Sequence, residues 1–398
     1  MTNLAIMAFA YIFTFETIMY LICSVRHYTN SFYGKYDGDA FVSIIIPCYN
    51  EELTLSHCVK SMISQTYDKY EIIIVDDGSK DRTLEVARSF LNYKNVVVLT
   101  KTNGGKASAL NFGTKHSKGS ILVCVDADSI FLRDTLSKLL KPFSDSKTAA
   151  VAGNVKVVNR KKVLLKNQAL EYIIGLNLHR RMFTNLNCVP VIPGAIGAFR
   201  KDVVLEVGGY SLDTMVEDMD ITMAISKRGY KIEYTGEAIA YTEAPESYKD
   251  FYKQRYRWTY GTFEIVNKYK DILFSYKSGK ELGIVGLPFT IYTLFMNIAL
   301  LFVFSYLVIK VAFYGNSPYL LTLISTMLVM QNILIMYTIL IDCEDKKLYF
   351  YWPFHIVLYR QIICLVTLNV FVDYIRGKKT SWNKINRLGK NEPNLRDL

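Results

Sequence analysis

The sequence lacks the cysteine and histidine spacings that mark several common classes of protein. Its seven cysteines are an odd number without a C-x-x-C pair, and its five scattered histidines include no H-E-x-x-H. These absences argue against a disulfide framework, a structural zinc site and a zinc protease. We therefore expect the main folded region to face a reducing compartment.

Two glycine motifs that bind nucleotides are also missing. No G-x-G-x-x-G follows the first predicted strand, and Gly105-Lys106 is followed by Ala107 rather than by serine or threonine. The chain is therefore neither a dinucleotide-binding dehydrogenase nor a P-loop NTPase. With only nine prolines in 398 residues, it is not a collagen-like or low-complexity chain either.

Apolar residues, in contrast, are abundant. They make up 51% of the chain against 21% charged residues, which indicates a folded soluble domain attached to membrane segments. Lysine and arginine number 47 against 36 acidic residues, and this balance gives a net charge of +11. A basic excess of this size suits nucleic acid, anionic lipid or a phosphorylated substrate.

The hydrophobic pattern divides the chain into five parts. They are an N-terminal transmembrane anchor and linker at 1–40, an α/β domain at 41–247, interfacial amphipathic helices at 248–282, a transmembrane region at 283–375 and a basic tail at 376–398. The anchor, Leu4–Val25, has no basic residue before it, is long for a cleaved signal peptide and is followed directly by Arg26. The positive-inside rule then places the α/β domain in the cytoplasm.

Three apolar tracts follow the α/β domain: Gly283–Tyr314, Pro318–Ile341 and Leu348–Tyr374. Three full crossings would leave the basic tail outside the cell, which contradicts the positive-inside rule. The last tract contains Pro353 and Arg360, and an arginine in the middle of a bilayer is costly. We therefore expect this tract to be re-entrant or partly interfacial, with a cytoplasmic tail.

Between Phe41 and Tyr241, short β-branched strands alternate with helical stretches. The first four predicted strands are Val42–Ile46, Glu71–Val75, Val96–Thr100 and Ile121–Val125. Continuous apolar strands joined by helices predict a parallel, doubly wound α/β sheet covered on both faces. Ligands of such sheets bind at the carboxyl ends of the strands.

Polar residues follow all four strands. They are Pro47-Cys48-Tyr49-Asn50-Glu51, Asp76-Asp77-Gly78-Ser79, Asn103-Gly104-Gly105-Lys106 and Asp126-Ala127-Asp128. Two carboxylates spaced like Asp126 and Asp128 can hold Mg²⁺ or Mn²⁺, which complete their shells with phosphate oxygens and water. Lys106, at a predicted helix start beside two glycines, suits a phosphate. Each pattern alone also fits an ordinary loop or helix cap, but together they predict a nucleotide-phosphate site.

Three further patterns lie downstream. Glu217 and Asp218 are adjacent carboxylates that raise each other's pKa when desolvated, as a general base requires, although helix capping is the simpler alternative. Gly194 belongs to a small-residue loop that lets an acceptor approach the backbone. Gln254, Arg257 and Trp258 share one helix face and suit a pyrophosphate and a sugar ring, or else form an interfacial membrane helix.

In this order, D-D-G-S, N-G-G-K-A-x-A-L-N, D-A-D, E-D and Q-x-x-R-W resemble the family 2 processive β-glycosyltransferases. That group includes the synthases of poly-N-acetylglucosamine, hyaluronan, chitin and cellulose. The chain is most similar to poly-β-1,6-N-acetylglucosamine synthases, and the resemblance covers residues 41 to about 275. It departs from the family pattern at Val216, where T-E-D is usual, and directly after Trp258.

The resemblance implies a GT-A, Rossmann-like nucleotide-sugar domain inserted between transmembrane helices. It implies an inverting transferase of the cell membrane that adds a sugar, N-acetylglucosamine, from a UDP-sugar to a growing β-linked polysaccharide and can export it. The nucleotide sugar would be held by Pro47, Tyr49, Glu51, Asp76, Asp77, Lys106 and Asp126. Asp126 and Asp128 would hold Mg²⁺ or Mn²⁺, Asp218 with Glu217 would be catalytic, and Gly194, Gln254, Arg257 and Trp258 would bind acceptor and diphosphate.

The implied partners are the UDP-sugar, a polysaccharide or oligosaccharide acceptor and the lipid bilayer, with room for a small accessory membrane subunit and with no nucleic acid. Two other functions remain open at this point. One is a single sugar addition to a polyprenyl phosphate or another lipid acceptor, and the other is a non-catalytic membrane protein. The acids at Asp77, Asp126, Asp128 and Asp218 argue against the second, because a structural role does not need all four.

Overall fold

A mixed β-sheet forms the centre of the α/β domain. The computed structural model describes residues 2–30, 38–277, 279–314 and 318–378, together with residue 389. Within them, eight strands pair in the order β3-β2-β1-β4-β7-β6-β8-β5. The strands are β1 Val42–Cys48, β2 Tyr70–Asp76, β3 Val96–Thr100, β4 Ile121–Cys124, β5 Ile130–Phe131, β6 Thr148–Val157, β7 Gly197–Arg200 and β8 Lys231–Thr242.

The four strands predicted at the start of the domain are confirmed, and they run parallel. β1 lies between β2 and β4, and Ile44 pairs with Ile72 on one side and Val123 on the other. All of β1 is buried, as an apolar strand must be when helices cover both faces of its sheet. The carboxyl ends of these strands therefore meet at one edge.

Helices pack on both faces of the sheet and beyond it. Ile44 and Ile46 lie in one apolar cluster, whereas Ile45 points to the opposite face and belongs to another. The α-helices are α1 Thr2–Asn30, α2 Leu55–Ile63, α3 Thr83–Arg88, α4 Lys106–His116, α5 Thr135–Leu140, α6 Val163–Glu171, α7 His179–Thr184, α8 Lys201–Glu206, α9 Glu217–Lys227, α10 Tyr248–Lys268, α11 Leu287–Tyr314, α12 Pro318–Ile341, α13 Trp352–Phe354 and α14 Arg360–Ile375.

The second half of the domain adds antiparallel strands, which the parallel pattern of the first four strands does not predict. β7 is antiparallel to both β4 and β6, and β5 is antiparallel to β8. β4 and β6 both end at the ligand-binding edge of the sheet. β7 begins at that same edge, so it runs in the opposite direction to both. The loop before β7 contains Gly194 and thus lies at the edge where the sequence predicts a ligand.

The structure contains the three apolar tracts predicted after the α/β domain. Helical segments at Leu282–Leu307, Ile324–Ile341 and Lys346–Ile375 are long and apolar enough to cross a membrane. The backbone of α1 is helical, but part of the predicted anchor Leu4–Val25 has side chains outside the described residues. The anchor, the placement of the domain between transmembrane helices and the five domain boundaries therefore stay predictions. The linker at 31–37 and most of the basic tail lie outside the described residues.

The last apolar tract packs against α6 near its start and against α10 from Tyr359 onward. Near its start, Nζ of Lys166 donates to the hydroxyl of Tyr351 at 2.6 Å. The ring of Tyr359 then lies 5.4 Å from that of Phe251, near the start of α10. Further along, the hydroxyl of Tyr256 in α10 donates to Asp373 at 2.8 Å. The two helices therefore run side by side in the same direction.

The turn between the second and third tracts is fixed to the α/β domain by buried ion pairs. Asp342 pairs with Arg181, and its carbonyl oxygen accepts a 2.6 Å hydrogen bond from Lys156. Glu344 pairs with Arg160 and lies 3.5 Å from the ammonium of Lys156. Removing one partner of such a pair would leave a buried charge unbalanced, so this turn cannot leave the domain without a large cost.

Candidate active site

The loops after β1 and β2 are tied together by hydrogen bonds. The backbone N–H of Asn50 donates to Ser79 Oγ at 3.0 Å, and its side-chain oxygen accepts from the N–H of Lys80 at 2.7 Å. The N–H of Glu51 donates to Thr83 Oγ1 at 2.7 Å. Asn50 has a φ of 54°, a left-handed conformation that asparagine tolerates.

The two adjacent aspartates after β2 have different surroundings. Asp77 is buried and accepts hydrogen bonds from the backbone N–H groups of Gly104 and Gly105, at 3.1 and 2.7 Å, and from Lys101 at 2.7 Å. It thereby fixes the loop that leads into α4. Asp76 instead accepts from Ser79 N–H at 3.2 Å and is buried behind that turn.

Lys106, the first residue of α4, is the electrostatic centre of the site. Its ammonium lies 2.6 Å from Asp126 Oδ1 and 2.9 Å from Glu217 Oε1. Burial alone would lower the pKa of Lys106, but the two carboxylates outweigh it and raise the pKa, so the side chain stays charged. A Cβ atom at Gly194 would lie 2.3 Å from this ammonium, so any larger residue there would displace the Lys106 side chain.

Two cavities meet at this cluster. The larger has a volume of about 700 Å³, and its wall includes four predicted nucleotide-binding residues, Pro47, Tyr49, Glu51 and Asp77. The smaller has a volume of about 310 Å³, and its wall includes Gly194, Asp218, Gln254 and Trp258. Both are lined by Lys106, Asp126, Met215, Glu217 and Arg257. Asp76 and Asp128 are in neither wall.

Asp218 lies at the start of α9 and faces the smaller cavity. Its Oδ2 accepts a 3.3 Å hydrogen bond from the N–H of Gly194, and its Oδ1 accepts from Met219 at 2.8 Å. Burial, reinforced by the charge of Glu217, raises the pKa of Asp218 to about 6. A carboxylate with that pKa can accept a proton near neutral pH.

Three motif residues of α10 complete the walls. Gln254 is buried, and Trp258 is partly buried with its ring 6.3 Å from that of Tyr172. Arg257 reaches the boundary between the cavities, and no described residue accepts a hydrogen bond from its buried Nε. Because an arginine fork matches phosphate oxygens well, this position suits a diphosphate.

The site could hold a divalent cation only if phosphate oxygens of a bound nucleotide and water completed its coordination. No group of three or more acidic, histidine or cysteine side chains gathers around a point in the described part of the chain. Asp126 lines both cavities, whereas Asp128 is buried and accepts a 3.0 Å hydrogen bond from Thr242 Oγ1. Mg²⁺ and Mn²⁺ bind through one or two carboxylates plus phosphates and water, so the donor set fits them.

Several residues in this region belong to none of the predicted motifs. Arg180, Tyr172 and Glu243 line the smaller cavity. They lie in α7, in the π-helical segment Tyr172–Leu178 and in the loop after β8, so only the tertiary structure brings them to the site. Arg255 lies inside the Q-x-x-R-W motif, at one of its variable positions, and its contacts could not be read from the spacing.

Comparison with known proteins supports the family indicated by the motifs. Residues 43–208 match the model of the family "Glycosyl transferase family 2". A poly-beta-1,6-N-acetyl-D-glucosamine synthase of Staphylococcus aureus is 33% identical over 227 residues, which are 56% of this chain and 55% of that protein. The same enzyme of Staphylococcus epidermidis is 31% identical over the same shares. The chain thus spans about half the length of the curated relatives it matches.

A solved structure supports the fold. A mannosyltransferase from Pyrobaculum calidifontis, in complex with GDP-Man and Mn²⁺, superposes with a TM-score of 0.61 at 19% identity, covering 94% of this chain and 100% of its own. The mixed sheet is thus GT-A-like, and apolar helices follow it. Residues 43–208 thus match glycosyl transferase family 2, and the chain is similar to the poly-β-1,6-N-acetylglucosamine synthases of staphylococci over about half of its length.

Proposed function

We propose that the protein transfers a sugar, N-acetylglucosamine, from a UDP-sugar to the end of a growing β-linked polysaccharide, with inversion at the anomeric carbon. The observation that carries this proposal is the wall shared by the two cavities. A donor in the larger cavity and an acceptor in the smaller would meet at Lys106, Asp126, Glu217 and Arg257.

The larger cavity suits the nucleotide diphosphate. Tyr49, Glu51 and Asp77 would contact the uridine, with Pro47 in the same wall. Lys106 and Arg257 supply the positive charge for the diphosphate, from opposite elements of the fold. Asp76 would act indirectly, since it holds the turn that presents Asp77.

Asp218 would be the general base. In the transfer step the acceptor hydroxyl oxygen forms a bond to the anomeric carbon while the bond from that carbon to the diphosphate oxygen breaks. The hydroxyl proton goes to Asp218, and UDP leaves with the bonding electron pair. Attack from the side opposite the leaving group converts an α-linked donor into a β-linked product.

The charge that develops on the leaving diphosphate needs cations nearby. Asp126, together with Asp128, would hold Mg²⁺ or Mn²⁺, which neutralises this charge when bound. The positive side chains of Lys106 and Arg257 would offset the same negative charge on the diphosphate. The Glu217 carboxylate holds the ammonium of Lys106 in place at 2.9 Å.

One observation favours a single addition to a phosphate-bearing lipid as the second candidate. Arg180 is buried and lines the smaller cavity, and no described carboxylate lies within salt-bridge distance of its guanidinium. Burial lowers the pKa of Arg180 to about 10. A phosphate group on the acceptor would balance the positive charge of Arg180. A neutral glycan would offer this guanidinium only hydroxyl groups, which carry no charge.

We also propose that the protein is a multi-pass cell-membrane protein with its α/β domain in the cytoplasm and its last apolar tract on the domain side. Both ends of this tract contact the domain or α10, through Tyr351 and Asp373. In the tail, the N–H of Gly389 donates to Glu243 at 3.4 Å. These contacts favour a partly interfacial tract.

Release of UDP by membranes that contain the protein tests the proposed function. A panel of UDP-sugars identifies the donor, and sizing of the product separates a polymer from a single addition. Membranes that contain the Asp218→Asn variant serve as the control for UDP release that does not depend on the proposed general base. A product that partitions with lipids and carries one sugar would favour the second candidate, and no UDP release from any donor would contradict both.

A further inference from the structure

Arg255 lies directly behind two residues of the acceptor wall. Its Nε atom is 2.9 Å from Glu171 Oε1, and its Nη2 atom is 2.5 Å from Glu171 Oε2. Arg255 is buried and belongs to neither cavity wall. A side chain that is fixed in two places by a carboxylate has little freedom, and it restricts whatever it touches in turn.

Arg255 also contacts Gln254 and Trp258, besides lying over the rings of Phe251 and Tyr172. Its Nη1 atom donates to Gln254 Oε1. Arginine has only donors, so the oxygen of the Gln254 amide must face it, and the NH₂ group is left for the cavity. The guanidinium carbon also lies 4.3 Å from the centre of the Trp258 ring, a cation–π contact that holds the indole.

Glu171 connects this arrangement to the last apolar tract. The hydroxyl of Tyr359 donates to Glu171 Oε2. Glu171 is the last residue of α6, and Tyr172, the next residue, lines the acceptor cavity. The carboxylate therefore lies between the acceptor wall and the membrane-facing helices, and it fixes Arg255 from behind.

We propose that Arg255 is a positioning residue: held by Glu171, it turns the amide NH₂ of Gln254 and the indole of Trp258 toward the acceptor. This inference rests on the proposed function, since it names the part of the site that binds the acceptor. Arg255 touches none of the residues that line the nucleotide end of the larger cavity. Its loss weakens acceptor binding and leaves donor binding intact.

Arg255→Lys is the main test because it keeps the charge but loses the fork. We expect the KM for short β-linked N-acetylglucosamine oligosaccharides to rise about tenfold, as for one lost buried contact. The KM for the UDP-sugar and the slow hydrolysis of the donor should change little. Arg228→Lys, at an exposed arginine paired with Glu206 at 3.8 Å, is the matched control.

A second readout does not depend on turnover. Replacing Trp352 and Trp382 by phenylalanine leaves Trp258 as the single tryptophan. In that background Arg255→Lys and Glu171→Gln should each change the Trp258 emission and make it easier to quench with acrylamide. Tyr359→Phe should do so more weakly, because the ion pair remains.

The outcomes separate the two proposals. A wild-type protein that releases no UDP would overturn the proposed function, and the fluorescence would still decide whether Arg255 holds Trp258. Unchanged Trp258 emission together with an unchanged acceptor KM would overturn the positioning role. An equal loss of donor hydrolysis and acceptor transfer in Arg255→Lys would also overturn it, because it would show a general disturbance of the fold.

Discussion

The ammonium of Lys106 lies 2.9 Å from the carboxylate of Glu217, and this contact joins the helix after β3 to the helix that carries Asp218. The same ammonium lies 2.6 Å from Asp126. One cation thus holds two acidic residues at the boundary of the cavities. A diphosphate in the larger cavity would share this cation, so donor binding and the state of the base are electrostatically coupled.

Replacing Lys106 should therefore affect two properties. In Lys106→Met we expect the donor KM to rise about 10- to 100-fold, the loss typical of a hydrogen bond to a charged group. The charge of Lys106 also lowers the pKa of Asp218, so its removal should move the acidic limb of the pH–rate profile upward. Steady-state kinetics across pH measure both effects.

Lys141→Met is the matched control, because that lysine pairs with an exposed glutamate, Glu237, away from the cavities. A Lys106→Met enzyme with a normal donor KM would contradict the role of Lys106 in diphosphate binding. A normal KM in the control is required for the comparison to hold.

Asp218 should set the lower pH limit of activity. Its carboxyl has a pKa raised to about 6, chiefly by burial, and only the deprotonated form can accept a proton. The rate should therefore fall as pH drops below about 6, whereas an ordinary aspartate would stay active to about pH 4. A kcat/KM profile between these values, with a one-proton slope, measures this.

Asp218→Asn should keep donor binding and lose about 10²-fold or more in transfer, as expected when a general base is removed. Its residual rate should show no inflection near pH 6. Glu217→Gln is the neighbouring comparison: it should retain the inflection at a lower pH, because the charge of Glu217 contributes to the raised pKa. A near-normal rate in Asp218→Asn would assign the base to another residue.

Much of the nucleotide end of the site is visible in the sequence, because it depends on local patterns. The strand Val96–Thr100 has the predicted bounds, and the helix predicted to start at Lys106 begins there, since both follow turn residues. The different roles of Asp76 and Asp77 cannot be predicted from the sequence. Neighbouring residues at a strand end point in opposite directions, and the sequence alone does not say which faces the ligand.

The acceptor end depends on contacts between distant parts of the chain. β7 has four residues with two small side chains, and its direction is set by pairing with β4 and β6. Arg180 reaches the smaller cavity from α7, and Glu171, at the end of α6, reaches the back of its wall by pairing with Arg255 of α10. No spacing rule predicts such packing, which is why the sequence missed both residues.

Activity should depend on a divalent cation. EDTA should abolish UDP release, and Mn²⁺ or Mg²⁺ should restore it, because the carboxylates of Asp126 and Asp128 add negative charge beside the diphosphate that a divalent cation would offset. Asp128→Asn should fold but be nearly inactive, and thermal denaturation with UDP and Mn²⁺ should show less stabilisation than in the wild type. Asp134→Asn, at a half-exposed aspartate paired with Lys138, is the control. Full turnover in chelator would contradict a metal requirement.

Trp258 should control product length more than donor use. Trp258→Ala removes a stacking surface in the smaller cavity, so we expect short products or none while slow donor hydrolysis continues. Gel sizing of the product beside a UDP-release assay separates these effects. Trp352→Ala, outside both cavities, is the matched variant. Unchanged polymer length in Trp258→Ala would show that this tryptophan has no part in holding the acceptor.

The final prediction concerns the side of the membrane on which the last tract ends. Tyr256 and Tyr260 of α10 hold Asp373 and the carbonyl oxygen of Lys378, at 2.8 and 3.1 Å, so the end of the tract stays beside the helix that forms the acceptor wall. Cys343, in the turn fixed to the domain by Asp342, is exposed. We therefore expect both positions on the cytoplasmic side.

Cysteine labelling in sealed right-side-out vesicles measures this. Two variants are needed, each with a single cysteine: one keeps Cys343 and the other carries Ser381→Cys, with all other native cysteines replaced. Both cysteines should be protected from an impermeant reagent until the vesicles are opened. Asn316→Cys, between α11 and α12, should react from outside and serves as the positive control. Reaction of the Ser381→Cys variant from outside would make Lys346–Ile375 a full crossing. The contacts of its end with α10 would then have to break in the membrane, because a helix that crosses cannot keep both ends on the domain side.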